Sequence, residues 1–209
     1  MSVLTAILAV LVGAFVFGAA GLLGVMAAVA MLPKLERFED GPAPVQVNPF
    51  ALIGGAAVVG AYMAWRHVPM PELLTSAVVV GVLAAVWYCD AKTGIVPDVF
   101  TLVPLGLAIV DAFFAHQVVQ VLISAAVLFV PFAIGAALTK GRGVGWGDAK
   151  LAAFAGAILG MMLAMLSLGV ASLVAVVVAS IRYRSKQVPV AFAPYMAAAI
   201  VLGLAYQAR

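Results

Sequence analysis

The stretch LAAFAGAILGMMLAMLSLGVASLVAVVVAS, residues 151–180, contains no charged side chain. At 1.5 Å per residue, one straight helix over it would be roughly 45 Å long, whereas a bilayer's hydrocarbon core is about 30 Å thick and takes about 20 apolar residues. The run is therefore either one strongly tilted helix or a hairpin turning near Gly160 and Met161. The choice sets the helix count and decides on which side of a membrane everything beyond it falls.

Other long apolar runs flank it: Val3–Leu32, Val45–Trp65, Leu73–Cys89, Val99–Ala115 and Val118–Leu138 before it, Val188–Tyr206 after it. The basic residues separate the two readings. With the N-terminus outside and a hairpin at 151–180, Lys34, Arg37, Lys92, Lys140, Arg142, Lys150, Arg182, Arg184 and Lys186 are cytoplasmic, and only Arg66 and Arg209 lie outside. That is 9 against 2 of the 11 basic residues. A single helix moves Arg182, Arg184 and Lys186 out and Arg209 in, giving 7 against 4. Cytoplasmic loops carry the excess of Lys and Arg, which favours the hairpin. The expected fold is an all-α, polytopic transmembrane bundle of about eight helices, N-terminus outside. It forms a single domain over residues 1–209, with residues 33–48 as a short cytoplasmic loop.

Composition agrees. The chain is 67% hydrophobic and 9% charged, where a soluble domain is about 25% charged, and its mean hydropathy is +1.24. The lipid bilayer is thus its first partner. The pI near 9.2 comes from basic residues scattered in gaps between apolar runs, not from a patch, so no nucleic-acid partner is expected. Cys89 is the only cysteine, which excludes an internal disulfide and a multi-cysteine zinc site within one chain; no metal and no cofactor are expected. The first run lacks a positive n-region and continues to Leu32, so it reads as a retained helix, not a cleaved signal. Small residues are dense in GGAAVVGAYMA (54–64) and AAFAGAILG (152–160), as expected where helices pack closely in lipid.

A carboxylate near hydrocarbon is costly, so each one needs a place. Glu36, Glu39 and Asp40 fall in the first loop, and Glu72 opens the third span, where it supports a helix N-terminus. Asp98, after Pro97, reads as an N-terminal carboxylate of the fourth span, and Asp111 as reaching the outer interface from within it. Asp90 and Asp148 remain. Asp90 ends the third span in AVWYCDAKTGIVPD (85–98), and Asp148 opens the sixth in GVGWGDAKLAAF (143–154). With eight spans, both sit at cytoplasmic helix ends, sharing a side and a depth.

Two carboxylates held close cannot both ionise cheaply, so such a pair tends to share one proton. The charged member can activate water against a peptide carbonyl. The protonated member can polarise that carbonyl and then assist the departing nitrogen. Gly145 and Gly147 are expected to supply backbone angles closed to other residues and to let a substrate chain approach. The amides opening the following helix are expected to favour a negative charge on Asp148. Lys92 and Lys150 read equally as substrate contacts, as groups steadying the site, or as positive-inside anchors. Trp146 reads as an interfacial aromatic.

GWGD, 145–148, matches the GxGD motif of membrane aspartyl proteases. Its surroundings, GVGWGDAKLAAFAGAILG (143–160), resemble the corresponding segment of type IV prepilin leader peptidases, including the Lys150–Leu151 pair. DAKTGIVPDVFTL (90–102) is similar to that family's other catalytic segment, with Pro97 seven residues after Asp90, and VPVAFAPYMAAAIVLGL (188–204) to its last helix. The likeness covers Trp87 to Leu204. It implies Asp90 and Asp148 as catalytic aspartates in an eight-helix protease of the bacterial cytoplasmic membrane. The implied substrates are prepilins or pseudopilins of a pilus or type II secretion apparatus, cut between a basic leader and a hydrophobic helix. MLPKLERFED (31–40) bears a faint likeness to the family's junction after the first helix. Many members carry there a larger domain with paired CxxC motifs that bind zinc, and also methylate the new N-terminus with S-adenosylmethionine. The loop here has no cysteine, so a zinc-supported methyltransferase is not expected.

Two other readings compete. A presenilin-like intramembrane protease also uses GxGD, but with a different first-aspartate motif. A small proton- or ion-coupled transporter would place carboxylates beside broken, glycine-rich helices, yet no internal repeat is visible and the two aspartates fall at a face instead of the midplane. Oligomeric state is not legible in the sequence.

Overall fold

The computed structural model describes residues 3–35, 45–140, 144–183 and 191–208. They form eight α-helices: α1 (Val3–Met31), α2 (Pro49–Trp65), α3 (Met70–Thr93), α4 (Leu102–Phe114), α5 (Val118–Leu138), α6 (Trp146–Leu159), α7 (Met161–Tyr183) and α8 (Ala193–Gln207). Short 3₁₀ turns follow α1 at Leu32–Lys34 and precede α4 at Asp98–Phe100. Among the described residues there is no strand. The all-α bundle and the count of eight are as expected. Glu36, Arg37, Glu39, Asp40, Arg142, Gly143, Arg184, Lys186, the segment 188–190 and Arg209 lie outside the described residues.

The run 151–180 is two helices. Gly160 separates α6 from α7 with φ +73° and ψ 164°, a conformation open to glycine and strained for residues with a Cβ. Beyond α7, the first residue of α8, Ala193, reaches Asp90 at the end of α3, so the chain has returned to the end where α6 began. Lys34, Lys92, Lys140 and Lys150 lie at or just beyond the helix ends on that side, and Arg66 at the α2–α3 turn opposite. The described basic residues thus repeat the asymmetry that favoured the hairpin.

Among the described residues, four helices are long and apolar enough to cross a membrane: α1 with its 3₁₀ turn, α3, α5 and α7. Helices α2 and α8 are apolar but shorter. The fourth run yields a helix of 13 residues, about 20 Å long at 1.5 Å per residue, because the turn at Asp98–Phe100 occupies its start. Conversely, α6 begins at Trp146, five residues before the apolar run, which places Asp148 inside its first turn.

Two packed cores meet on α3. On one side Phe17 of α1, Ala56 and Met63 of α2 and Leu73, Ala77 and Val80 of α3 are buried together. On the other, Leu83 and Val86 of α3 pack with Leu128, Leu151, Phe154, Leu168, Met196 and Ile200 from α5 to α8. Close backbone approach holds both. A Cβ on Gly24 would overlap the backbone of Gly81, and one on Gly156 would lie 2.5 Å from the Ser124 carbonyl oxygen. Gly54 and Gly55, by contrast, face open space, so within GGAAVVG the helix contact is made by Ala56, Ala57 and Gly60.

Candidate active site

Asp90 lies in the last turn of α3 and is 6% exposed. The helix ends three residues later because Gly94 adopts φ 72°, and its N–H donates to the Asp90 carbonyl at 2.8 Å. This is a glycine-terminated helix end, in which a left-handed residue satisfies an otherwise orphaned carbonyl. Thr93 finishes the turn: its hydroxyl donates to the Cys89 carbonyl and accepts from the Ile95 N–H. Cys89 itself is fully buried against Ala28 and Ala85, the small apolar residue expected near a helix end.

Asp148 is 8% exposed and occupies the third position of α6. Its Oδ2 accepts the Gly145 N–H at 2.9 Å. This is the carboxylate half of a capping box; Gly145 has no side chain with which to return the bond. At the start of α6 the Gly145 N–H is thus the backbone donor that holds the Asp148 carboxylate.

Charge on Asp148 acts on Asp90, and the Ala193 N–H at the start of α8 reaches the Asp90 carboxylate. Three helix ends thus converge: the C-terminus of α3 and the N-termini of α6 and α8. Asp90 Oδ2 is buried without a hydrogen-bond partner. A buried, unsatisfied carboxylate oxygen is expensive and calls for an explanation.

The glycines of the motif act differently from expectation. Gly145 has φ −81° and ψ 155°, ordinary extended backbone, and Gly147 is helical. Neither uses an angle closed to other residues. Gly147 is needed for space, since a Cβ there would sit 2.8 Å from Cβ of Val96. The loop after Asp90 thereby packs directly on the helix carrying Asp148. Pro97 continues this loop with φ −64° and leads into the 3₁₀ turn.

Asp98 also departs from expectation. It opens that turn, not an α-helix, and its carboxylate pairs with Lys150. Lys92 lies over the Tyr88 ring, 5.8 Å from its centre. Trp146, half exposed at the start of α6, fits an interfacial aromatic, and Glu72 stands in the first turn of α3. Asp111 is exposed on α4 and takes no part in the convergence. A cleft of about 800 Å³ between His116–Ser124 and the Gly160 break lies at the opposite end of the bundle and holds no carboxylate. Among the described residues no group of three or more His, Cys, Asp or Glu side chains is placed to hold a metal.

The sequence reading missed three contributors: Gly94, Val96 and the Ala193 backbone. Only Gly94 had a legible signal, a glycine just past a helical run. No curated protein and no solved structure matches the chain. Residues 77–180, spanning both aspartates, match the model of the type IV leader peptidase family; with the helical membrane architecture and the GxGD stretch set against the end of α3, the chain belongs to that family.

Proposed function

We propose that the protein is an aspartyl endopeptidase of the bacterial cytoplasmic membrane that removes the basic leader from prepilins or pseudopilins. Asp90 and Asp148 are its catalytic pair. The observation that carries this reading is that two buried carboxylates from segments 58 residues apart stand near enough to act on each other electrostatically, one of them with an oxygen left unpartnered.

In this mechanism the charged carboxylate takes a proton from water as its oxygen bonds to the scissile carbonyl carbon. The protonated carboxyl donates to the carbonyl oxygen. Collapse of the tetrahedral intermediate breaks the C–N bond, and the nitrogen leaves with a proton from the pair. Asp148, braced by Gly145 N–H, fits the charged role; Asp90, at the negative end of the α3 dipole with an open Oδ2, fits the proton donor. The cleaved bond lies at the cytoplasmic surface, where a basic leader meets a hydrophobic helix. The Lys-bearing end of the bundle is the one that holds the pair.

The test is cleavage of prepilin-like substrates in co-expressing cells, read as a size shift. Native protein should process substrate, and Asp90→Asn and Asp148→Asn at equal membrane levels should not. Processing by both variants would overturn the catalytic pair. No cleavage by the native protein across a broad panel, together with ion-gradient-coupled uptake in vesicles, would replace a peptidase with a transporter.

A further inference from the structure

We propose that Asp98 and Lys150 are positioning residues: their ion pair latches the loop that follows Asp90 onto the face of α6 beside Asp148. This rests on the peptidase reading above and adds to it a device that aligns the two aspartates.

The argument begins with helix geometry. Successive residues turn about 100° around an α-helix, so Lys150 points about 200° away from Asp148, whereas Gly147 and Lys150, three apart, share one face. The loop lies along that shared face. Val96 packs on Gly147, and two residues later the Asp98 carboxylate meets the Lys150 ammonium. Leu151, four residues from Gly147, is fully buried in the same core as Val96. Lys150 is therefore directed at the loop and away from the carboxylate beside it.

The loop needs such a tether. Residues 94–97 belong to no helix, and Gly94 gives the chain its freedom to turn. Inside the loop, the Ile95 N–H bond to Thr93 restrains only its first step. Across to α6 it packs through Val96, on Gly147 and in the core shared with Leu151, and it makes an electrostatic contact through Asp98 on Lys150. The partners are 52 residues apart in sequence, so the pair joins the two segments that bring the aspartates together. Its side chains are 27% and 61% exposed, and an ion pair so exposed adds little to overall stability. Its value is geometric. A displacement of about 1 Å at a reacting centre can cost as much as about 100-fold in rate.

The experiment is a reciprocal exchange in the full-length protein, assayed in membranes on a prepilin-like substrate, with Asp90→Asn as the dead reference. Asp98→Lys and Lys150→Asp should each lower kcat about tenfold with KM changed by less than about twofold, the pattern of lost alignment without lost substrate binding. The double exchange keeps the net charge of this face, and should return kcat to within about threefold of native if the pair acts as a unit. Thermal midpoints should move by less than about 4 °C throughout. Should the single exchanges fail to insert, Asp98→Asn and the pair-preserving Asp98→Glu provide the same contrast, the first losing activity and the second keeping most of it. A double exchange no better than its worse single, or losses falling wholly in KM, would overturn the latch while native cleavage kept the peptidase reading intact. If the native protein cleaves nothing, the peptidase reading falls and the latch falls with it.

Discussion

Asp90 and Asp148 are the same residue type at opposite ends of their helices, and their surroundings differ accordingly. Asp148 stands in the first turn of α6, where exposed amides welcome a carboxylate, and the Gly145 N–H satisfies one of its oxygens. Asp90 stands in the last turn of α3, where orphaned carbonyls repel one, and its Oδ2 is buried without a partner. One aspartate helps to start its own helix. The other is held in place by its surroundings, through the Gly94 turn, the Val96 contact and the first amide of α8. The candidate site thus has a half that suits its own helix end and a half maintained against local preference.

The largest effect on this arrangement should come from filling the space between the halves. Gly147→Val would drive a side chain into Val96, costing about 1–3 kcal/mol of stability as overpacking does, and should lower activity. Val96→Ala in the same chain should recover part of both losses, measured by thermal unfolding in detergent and by the cleavage assay. Equal stability for native and Gly147→Val would mean that the loop does not rest on α6.

The next contrast separates the aspartates themselves. Asp148→Ala removes the acceptor of the Gly145 N–H and should destabilise by about 0.5–2 kcal/mol, the usual range for a lost helix-start interaction. Asp90→Asn keeps the shape and removes an ionisable group from a buried, partly unsatisfied position. It should leave stability unchanged or raise it by about 1 kcal/mol, as happens when a site is held at a cost to stability. Thermal midpoints of the two variants should move in opposite directions, or only the Asp148 variant's should fall. A larger loss for Asp90→Asn would invert the comparison.

The smallest effect on stability belongs to the exposed pair between the halves. Lys150→Met should cost no more than about 1 kcal/mol in the same unfolding measurement. A loss of several kcal/mol would make the pair a structural strut and not an alignment device.

Much of this fold is legible in the sequence. Charge asymmetry across the apolar runs separated a hairpin from a single long helix at 151–180, and Gly160 is where the chain breaks. The boundaries of α5 fall at the ends of an uninterrupted run, since nothing but apolarity defines that helix. Helix ends sharing a side put Asp90 and Asp148 at one end of the bundle, where both are buried. What was not legible depends on register between segments distant in sequence. No local pattern says that Gly147 faces Val96, so the sequence suggests backbone freedom and substrate approach where the structure uses the glycine for space against Val96. Asp98 looked like a helix-starting carboxylate because Pro97 precedes it, and the 3₁₀ turn that follows redirects it to Lys150. The Ala193 amide carries no side-chain signal at all.

The central claim is that two aspartates from distant segments form one catalytic unit. Single-turnover cleavage by purified native protein, Asp90→Asn, Asp148→Asn and the double variant tests it most directly. Groups that act as a unit are strongly non-additive, so each single substitution should cost at least about 1,000-fold and the double no more than about threefold beyond the worse single. Substantial turnover by either single variant, or losses that multiply in the double, would contradict it.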